Sequence, residues 1–220
     1  MIFNRDDESV LFVSAHPDDS EIFAGGTIAK LVADDIDVHV LLLSQGSKGG
    51  KDEVRVNEFR DAVLSLGVPE PNIWYKDFPD TVFYNNEAEI VGAIEFVIKK
   101  MQIQTVFTHH PFDTHQDHRV TANATLAAAR NIKNVLFYCP SWPSGRTSVP
   151  FHNDFIVKLS QDNVEAKIKA LYCYKSQIKK YGADDYVGTH RAILKANSLT
   201  LTGDVKGNAE VFEINRVVYE

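Results

Sequence analysis

Cysteine is scarce: the 220 residues contain two, Cys139 and Cys173, 34 positions apart and without a CxxC partner. That spacing excludes a disulfide framework or a cysteine-rich zinc site and reads as two buried thiols in a reducing compartment. Basic charge is also short. Lys and Arg number 23 against 30 Asp and Glu, giving a net charge of −7 with no basic cluster. Both a nucleic-acid-binding face and docking to an anionic membrane need such a cluster, so neither partner is expected. No apolar run approaches the roughly 20 residues of a bilayer span, so membrane insertion is not expected either. The acidic start, MIFNRDDESV, lacks the apolar core of a secretory signal, and the expectation is a cytoplasmic protein. A GxGxxG fingerprint, internal repeats and low-complexity linkers are missing as well.

What remains is an ordinary globular composition, 44% hydrophobic and 24% charged, expected to form one domain over residues 1–220. Short β-rich runs alternate with longer helical patterns. LFVSA (11–15), DVHVLLLS (37–44), NIWYKD (72–77), QTVFTHH (104–110), NVLFYCP (134–140), 155–159 and 209–217 read as strands. Segments 21–35, 53–67, 87–101, 119–131, 162–174 and 184–197 read as helices. The near-continuous apolar strands imply cover on both faces. The expected class is therefore α/β: a single-domain, Rossmann-like, three-layer α/β/α fold with a mostly parallel sheet. Residues 141–151 carry prolines and no period, which marks a surface loop near the site or a lid.

Chemistry gathers where strands end. In LFVSAHPDDSEIFAGGT (11–27) an apolar run stops at His16, Asp18 and Asp19, and charged groups beside a buried strand need a compensating partner. The connection THHPFDTHQDHR (108–119) holds His109, His110, Asp113, His115, Asp117 and His118, half of the protein's eight histidines. In a parallel α/β sheet both segments reach the carboxyl rim. Two imidazoles and a carboxylate there suit a catalytic divalent metal, most simply Zn2+, with an open position for a nucleophilic water. Of the adjacent aspartates one can ligate while the other serves as general base, although either could instead cap the helix beginning near Glu21. Gly25 and Gly26 read as close helix-to-sheet packing, and Gly46, Gly49 and Gly50 as a flexible rim loop.

At AHPDDSEIFAGGTIAKL, HQDH (115–118), RVNEFRDAVLSLG (55–67), KSQ (175–177) and AEVF (209–212) the sequence resembles the LmbE/PIG-L family of metal-dependent deacetylases. The resemblance implies a hydrolase that removes the N-acetyl group from an amino sugar or an N-acetylglucosamine-containing conjugate. It implies His16, Asp19 and His118 as metal ligands, with Zn2+ expected and Fe2+ compatible. Asp18 would be the general base and His115 the group acting on the tetrahedral intermediate. Asp117 would orient a histidine, Asp113 would support His115, Arg55 would contact the sugar or its substituent, and Asp80 would bind sugar hydroxyls. The same likeness leaves a homo-oligomer open, since relatives form trimers and hexamers. Here Glu21 follows HPDD after an extra Ser20, and Tyr174 stands where many members carry histidine. Two rival readings remain: a non-haem Fe(II) oxygenase using His16, Asp18 and His118, and a nucleotide-binding module without catalysis. The identity of the carboxylate beside the two imidazoles separates the first rival from the hydrolase.

Overall fold

A computed structural model describes residues 9–143 and 145–218; the acidic segment 1–8 lies outside the described residues. One seven-stranded sheet runs in the order β3-β2-β1-β4-β5-β7-β6. Its strands are β1 (Ser9–Ser14), β2 (Asp37–Leu42), β3 (Ile73–Tyr75), β4 (Thr105–Thr108), β5 (Asn134–Tyr138), β6 (Phe155–Leu159) and β7 (Asn208–Arg216). The first five pair in parallel, and β7 runs antiparallel between β5 and β6. The helices are α1 (Asp19–Ala33), α2 (Asp52–Ser65), α3 (Glu87–Lys100), α4 (Gln116–Ala128), α5 (Gln161–Cys173), α6 (Lys175–Tyr181) and α7 (Thr189–Thr202).

Alternate residues of the central strands feed two separate cores, as a period of two requires. Val10, Phe12, Val38, Val40 and Leu42 pack with Ile28 of α1, Phe59 of α2 and Leu171 of α5. Leu11, Val13 and Leu41 pack with Ile94 of α3 and Ala124 of α4 on the opposite face. The expected α/β/α layering therefore holds. Chain order reverses between β1 and β4, neighbouring parallel strands whose following helices, α1 and α4, pack on opposite faces. A crevice opens there at the carboxyl ends. Among the described residues no helix is long and apolar enough to cross a membrane.

Several boundaries differ from the sequence expectation. Strand β4 stops at Thr108, so His109 and His110 follow the strand. Helix α4 begins at Gln116, because the His115 ring accepts the Asp117 N–H (3.3 Å) and caps the helix, leaving Asp117 and His118 on its first turn. Segment 184–197 divides into a π-helical turn (Asp184–Gly188) and α7. Helix α6 was not expected at all. It is pinned by Glu58 of α2, which accepts the Ser176 N–H (2.7 Å) and hydroxyl (2.6 Å).

Candidate active site

The β1–α1 turn places two aspartates back to back. Asp18 has φ 100 and ψ −18, a left-handed conformation that separates its side chain from that of Asp19, and it makes no capping bond. Asp19 folds inward, its Oδ2 accepting the His16 backbone N–H at 2.8 Å. Neither aspartate caps the helix through its side chain. Gly46, φ +73, lies so close to this turn that an added Cβ would stand 2.7 Å from Pro17 Cδ.

Asp19 meets both strand ends. Its Oδ2 lies 3.6 Å from His16 Nδ1 and 3.2 Å from His109 Nε2, and its Oδ1 lies 3.4 Å from His118 Nε2. A ring nitrogen each from His16, His115 and His118 falls within 4.8 Å of the others, as do donor atoms of Asp19, His109 and His118. Among the described residues Asp19 Oδ1 and His118 Nε2 are buried without a hydrogen-bond partner although they face each other. Buried polar atoms rarely remain unpaired, and a nitrogen–oxygen donor set of this kind fits a divalent cation.

The imidazoles of His118 and His16 are oriented from behind. Asp113 Oδ2 bonds His118 Nδ1 at 2.9 Å, while its Oδ1 accepts the His115 N–H at 2.8 Å. Asp117 Oδ2 lies 3.1 Å and Asp80 Oδ1 3.3 Å from His16 Nε2. Asp117 also accepts the Thr81 N–H (2.6 Å) and Phe83 N–H (3.3 Å), and Asp80 accepts the Lys48 N–H (2.8 Å). With Nε2 so engaged, His16 presents Nδ1 toward Asp19.

Electrostatics follow this packing. Burial disfavours a charged Asp19, yet His118 and His109 outweigh it and hold the carboxyl well below its usual value. Burial also opposes a charged His16, but Asp117, Asp19 and Asp80 raise it well above normal. The same carboxylates that favour a proton on His16 also favour a metal cation beside it, and the two compete for the ring nitrogen. His115 is lowered to about 4 by burial and by its neighbours His118 and His16, so its ring is neutral near pH 7. Because its Nδ1 accepts the Asp117 N–H, the ring proton sits on Nε2.

Asp18 belongs to a different cluster. Its Oδ2 contacts Arg55 Nη2 (3.1 Å) and accepts the Tyr186 hydroxyl (3.0 Å). Burial raises its carboxyl above the usual value against the pull of Arg55, with Asp19 adding to the rise. The carboxylate standing between the imidazoles is thus Asp19 and not Asp18, which removes the geometric basis of the oxygenase triad. Arg55 Nη2 also donates to the Pro17 carbonyl, while among the described residues Nε and Nη1 make no hydrogen bond and Nη1 lies 3.6 Å from Glu58 Oε2.

These groups open into a pocket of about 190 Å³ lined by His16, Asp18, Arg55, Asp80, His115 and Tyr181, among others. Asp113 and Asp117 stand behind the pocket and support the histidines. Sequence reasoning gave no role to His109, which reaches Asp19 only because β4 ends beside β1, or to Tyr186. Nor did it bring α6 to the wall, where Gln177, Lys180 and Tyr181 line the pocket.

Comparison with known proteins matches residues 11–129 to the family model described as PIG-L, GlcNAc-PI de-N-acetylase. The chain is 29% identical over 175 residues to the uncharacterized deacetylase YaiS of Escherichia coli, covering 77% of this chain and 91% of that protein. It is 31% identical over 194 residues to the diacetylchitobiose deacetylase of Thermococcus kodakarensis, covering 79% and 71% respectively. The N,N'-diacetylchitobiose deacetylase of Pyrococcus horikoshii superposes with a TM-score of 0.77 at 22% identity, over 95% of this chain and 84% of that one, and shares its fold.

Proposed function

Because the chain belongs to the PIG-L family of de-N-acetylases, we propose that it is a divalent-metal hydrolase, with Zn2+ as the ion. Its substrate is an amino sugar or N-acetylglucosamine-containing conjugate, from which it removes the N-acetyl group. The observation that carries this reading is the facing pair of buried, unpartnered atoms, Asp19 Oδ1 and His118 Nε2, with His16 beside them and a second carboxylate, Asp18, lining the same pocket. His16, Asp19 and His118 would hold the ion, which supplies Lewis acidity and lowers the pKa of water when bound.

The chain's own groups do the rest. Asp18 takes the proton of the attacking water on the carboxylate oxygen left free by Arg55 and Tyr186, and its raised pKa suits a group that must then hold that proton. Neutral His115 donates from Nε2 to the carbonyl oxygen as charge develops there. The proton held by Asp18 passes to the amide nitrogen, the C–N bond breaks, and acetate and a free amine leave. Arg55, whose Nε and Nη1 make no hydrogen bond among the described residues, and Asp80, both on the pocket wall, contact the sugar. Substrate recognition needs no nucleic acid or membrane insertion.

The test is acetate release from a panel of N-acetylglucosamine, its oligomers and its glycosides, with metal analysis of the same sample. Turnover is expected to vanish with chelator, return with a divalent ion, and fall roughly 10²–10⁴-fold in Asp18→Asn with metal retained. A preparation that binds no divalent metal and releases acetate from none of these substrates overturns the proposal.

A further inference from the structure

Beyond the catalytic groups, we propose that Tyr186 is a positioning residue that fixes Asp18 in its working orientation, an inference that rests on Asp18 being the general base. Asp18 occupies a left-handed backbone conformation without a capping bond. Such strain persists only where surrounding contacts hold the residue in place. Two donors do so, both on Oδ2: Arg55 Nη2 at 3.1 Å and the Tyr186 hydroxyl at 3.0 Å. They occupy one oxygen and leave the other available to the pocket.

The two donors are not equivalent. Arg55 lines the pocket, and its Nε and Nη1 make no hydrogen bond among the described residues, Nη1 lying only at ion-pair distance (3.6 Å) from Glu58, so a bound substrate competes with Asp18 for its guanidinium. Tyr186 is fully buried and does not touch the pocket. Its hydroxyl therefore keeps its bond to Asp18 whether substrate is present or not.

The local backbone is built to deliver that hydroxyl. Tyr186 sits in the middle of the π-helical turn Asp184–Gly188, its N–H bonded to the carbonyl of Gly182 (2.9 Å), a glycine at φ +90. A π turn adds one residue per turn and re-aims side chains, a device frequent at functional sites. The ring also lies parallel to that of Tyr181 (6.2 Å, 11°), whose edge-on neighbour is Trp142 (5.3 Å). The anchor of the base thus backs onto the pocket wall formed by Tyr181.

A packing role and a positioning role differ in what Tyr186→Phe does, since phenylalanine keeps the ring and deletes only the donor. On the metal-loaded enzyme, Tyr186→Phe is expected to lower kcat about tenfold while KM, metal content and thermal midpoint stay near wild type. In an Asp18→Asn background the same change is expected to alter the residual turnover less than twofold. An unchanged kcat, a rise in KM in place of a fall in kcat, or an equal loss in both backgrounds overturns the inference while leaving Asp18 as base. General loosening of the fold gives that equal loss, so it counts against the proposal. Full turnover in Asp18→Asn alone removes the base assignment, and the role of Tyr186 falls with it.

Discussion

Asp113 shows how one side chain ties a helix cap to a ligand. One oxygen takes the N–H of His115, the α4 N-cap, and the other takes His118 Nδ1. The loop 141–151 closes over it: Thr147 bridges to Asp113, and a Cβ on Gly145 would stand 2.1 Å from Asp113 Oδ1, so a side chain there collides with the carboxylate. Carboxylates behind a ligating imidazole set its tautomer and raise its basicity. Asp113→Ala is therefore expected to weaken divalent-metal affinity about 10–100-fold, read by competition with a chromogenic chelator. Unchanged affinity would assign Asp113 to capping alone. At this scale the meeting of the two polar segments was legible: His16, Asp18 and Asp19 end the apolar run 11–15, and His118 belongs to the histidine-dense connection 108–119, while their individual roles rested on the family resemblance. Asp117 was expected to orient a histidine, and its Oδ2 lies 3.1 Å from His16 Nε2. Expected to support His115, Asp113 does so through the backbone and directs its second oxygen to His118. His109 and Tyr186 were not legible, since their partners lie about 90 and 168 positions away and no local pattern marks them.

Helix α1 is almost wholly buried, and its middle is held by a buried ion pair. Lys167 of α5 donates to the Ile22 carbonyl (2.7 Å) and to Glu210 of β7 (2.6 Å). Glu210 in turn accepts the N–H groups of Gly26 (3.0 Å) and Thr27 (2.6 Å) and the Thr27 hydroxyl (2.6 Å). Gly25 and Gly26 make the approach possible: added Cβ atoms would stand 3.1 Å from Lys167 Cγ and 2.4 Å from Leu159 Cδ1. The expected close helix-to-sheet packing is present at Gly26, whereas Gly25 packs against helix α5, with the ion pair between them. Removing one partner of such a pair leaves the other charge uncompensated, so Lys167→Met is expected to cost about 3–5 kcal/mol, measured by denaturant unfolding. A loss under 1 kcal/mol would show that water reaches Glu210. Periodicity made α1, α2, α3 and α5 legible to within two residues at their starts. It failed at α4, where the cap is a histidine ring and not a hydroxyl or carboxylate. It also failed at α6, whose seven residues are too few to show a period and are held by Glu58 from another helix.

The whole molecule joins two βα units, β1–α1 and β4–α4, across the point where chain order reverses, and the site is the seam between them. That convergence was legible because strand and helix alternation implies a parallel sheet, and such a sheet sends both polar turns to one rim. The C-terminal third was less legible: the antiparallel β7 and the π turn depend on contacts with β5, β6 and Asp18 that a sequence pattern does not carry. This third also carries a titrating group remote from the ligands. His190 of α7 is 2% exposed, its Nε2 has no hydrogen-bond partner among the described residues, and burial together with the nearby Lys167 lowers its pKa to about 3. The folded state therefore keeps His190 neutral, whereas the unfolded chain binds a proton there below about pH 6.5. With the folded pKa below the unfolded one, the unfolded state binds more protons as pH falls, and stability is lost on acidification between about pH 6.5 and 3. Between pH 7 and pH 5 this one residue is expected to remove about 2 kcal/mol. His190→Gln should flatten the decline in unfolding free energy over that interval by the same amount, measured by denaturant titration at both pH values in metal-loaded protein. An identical pH dependence in wild type and variant would mean that His190 is protonated in the folded state.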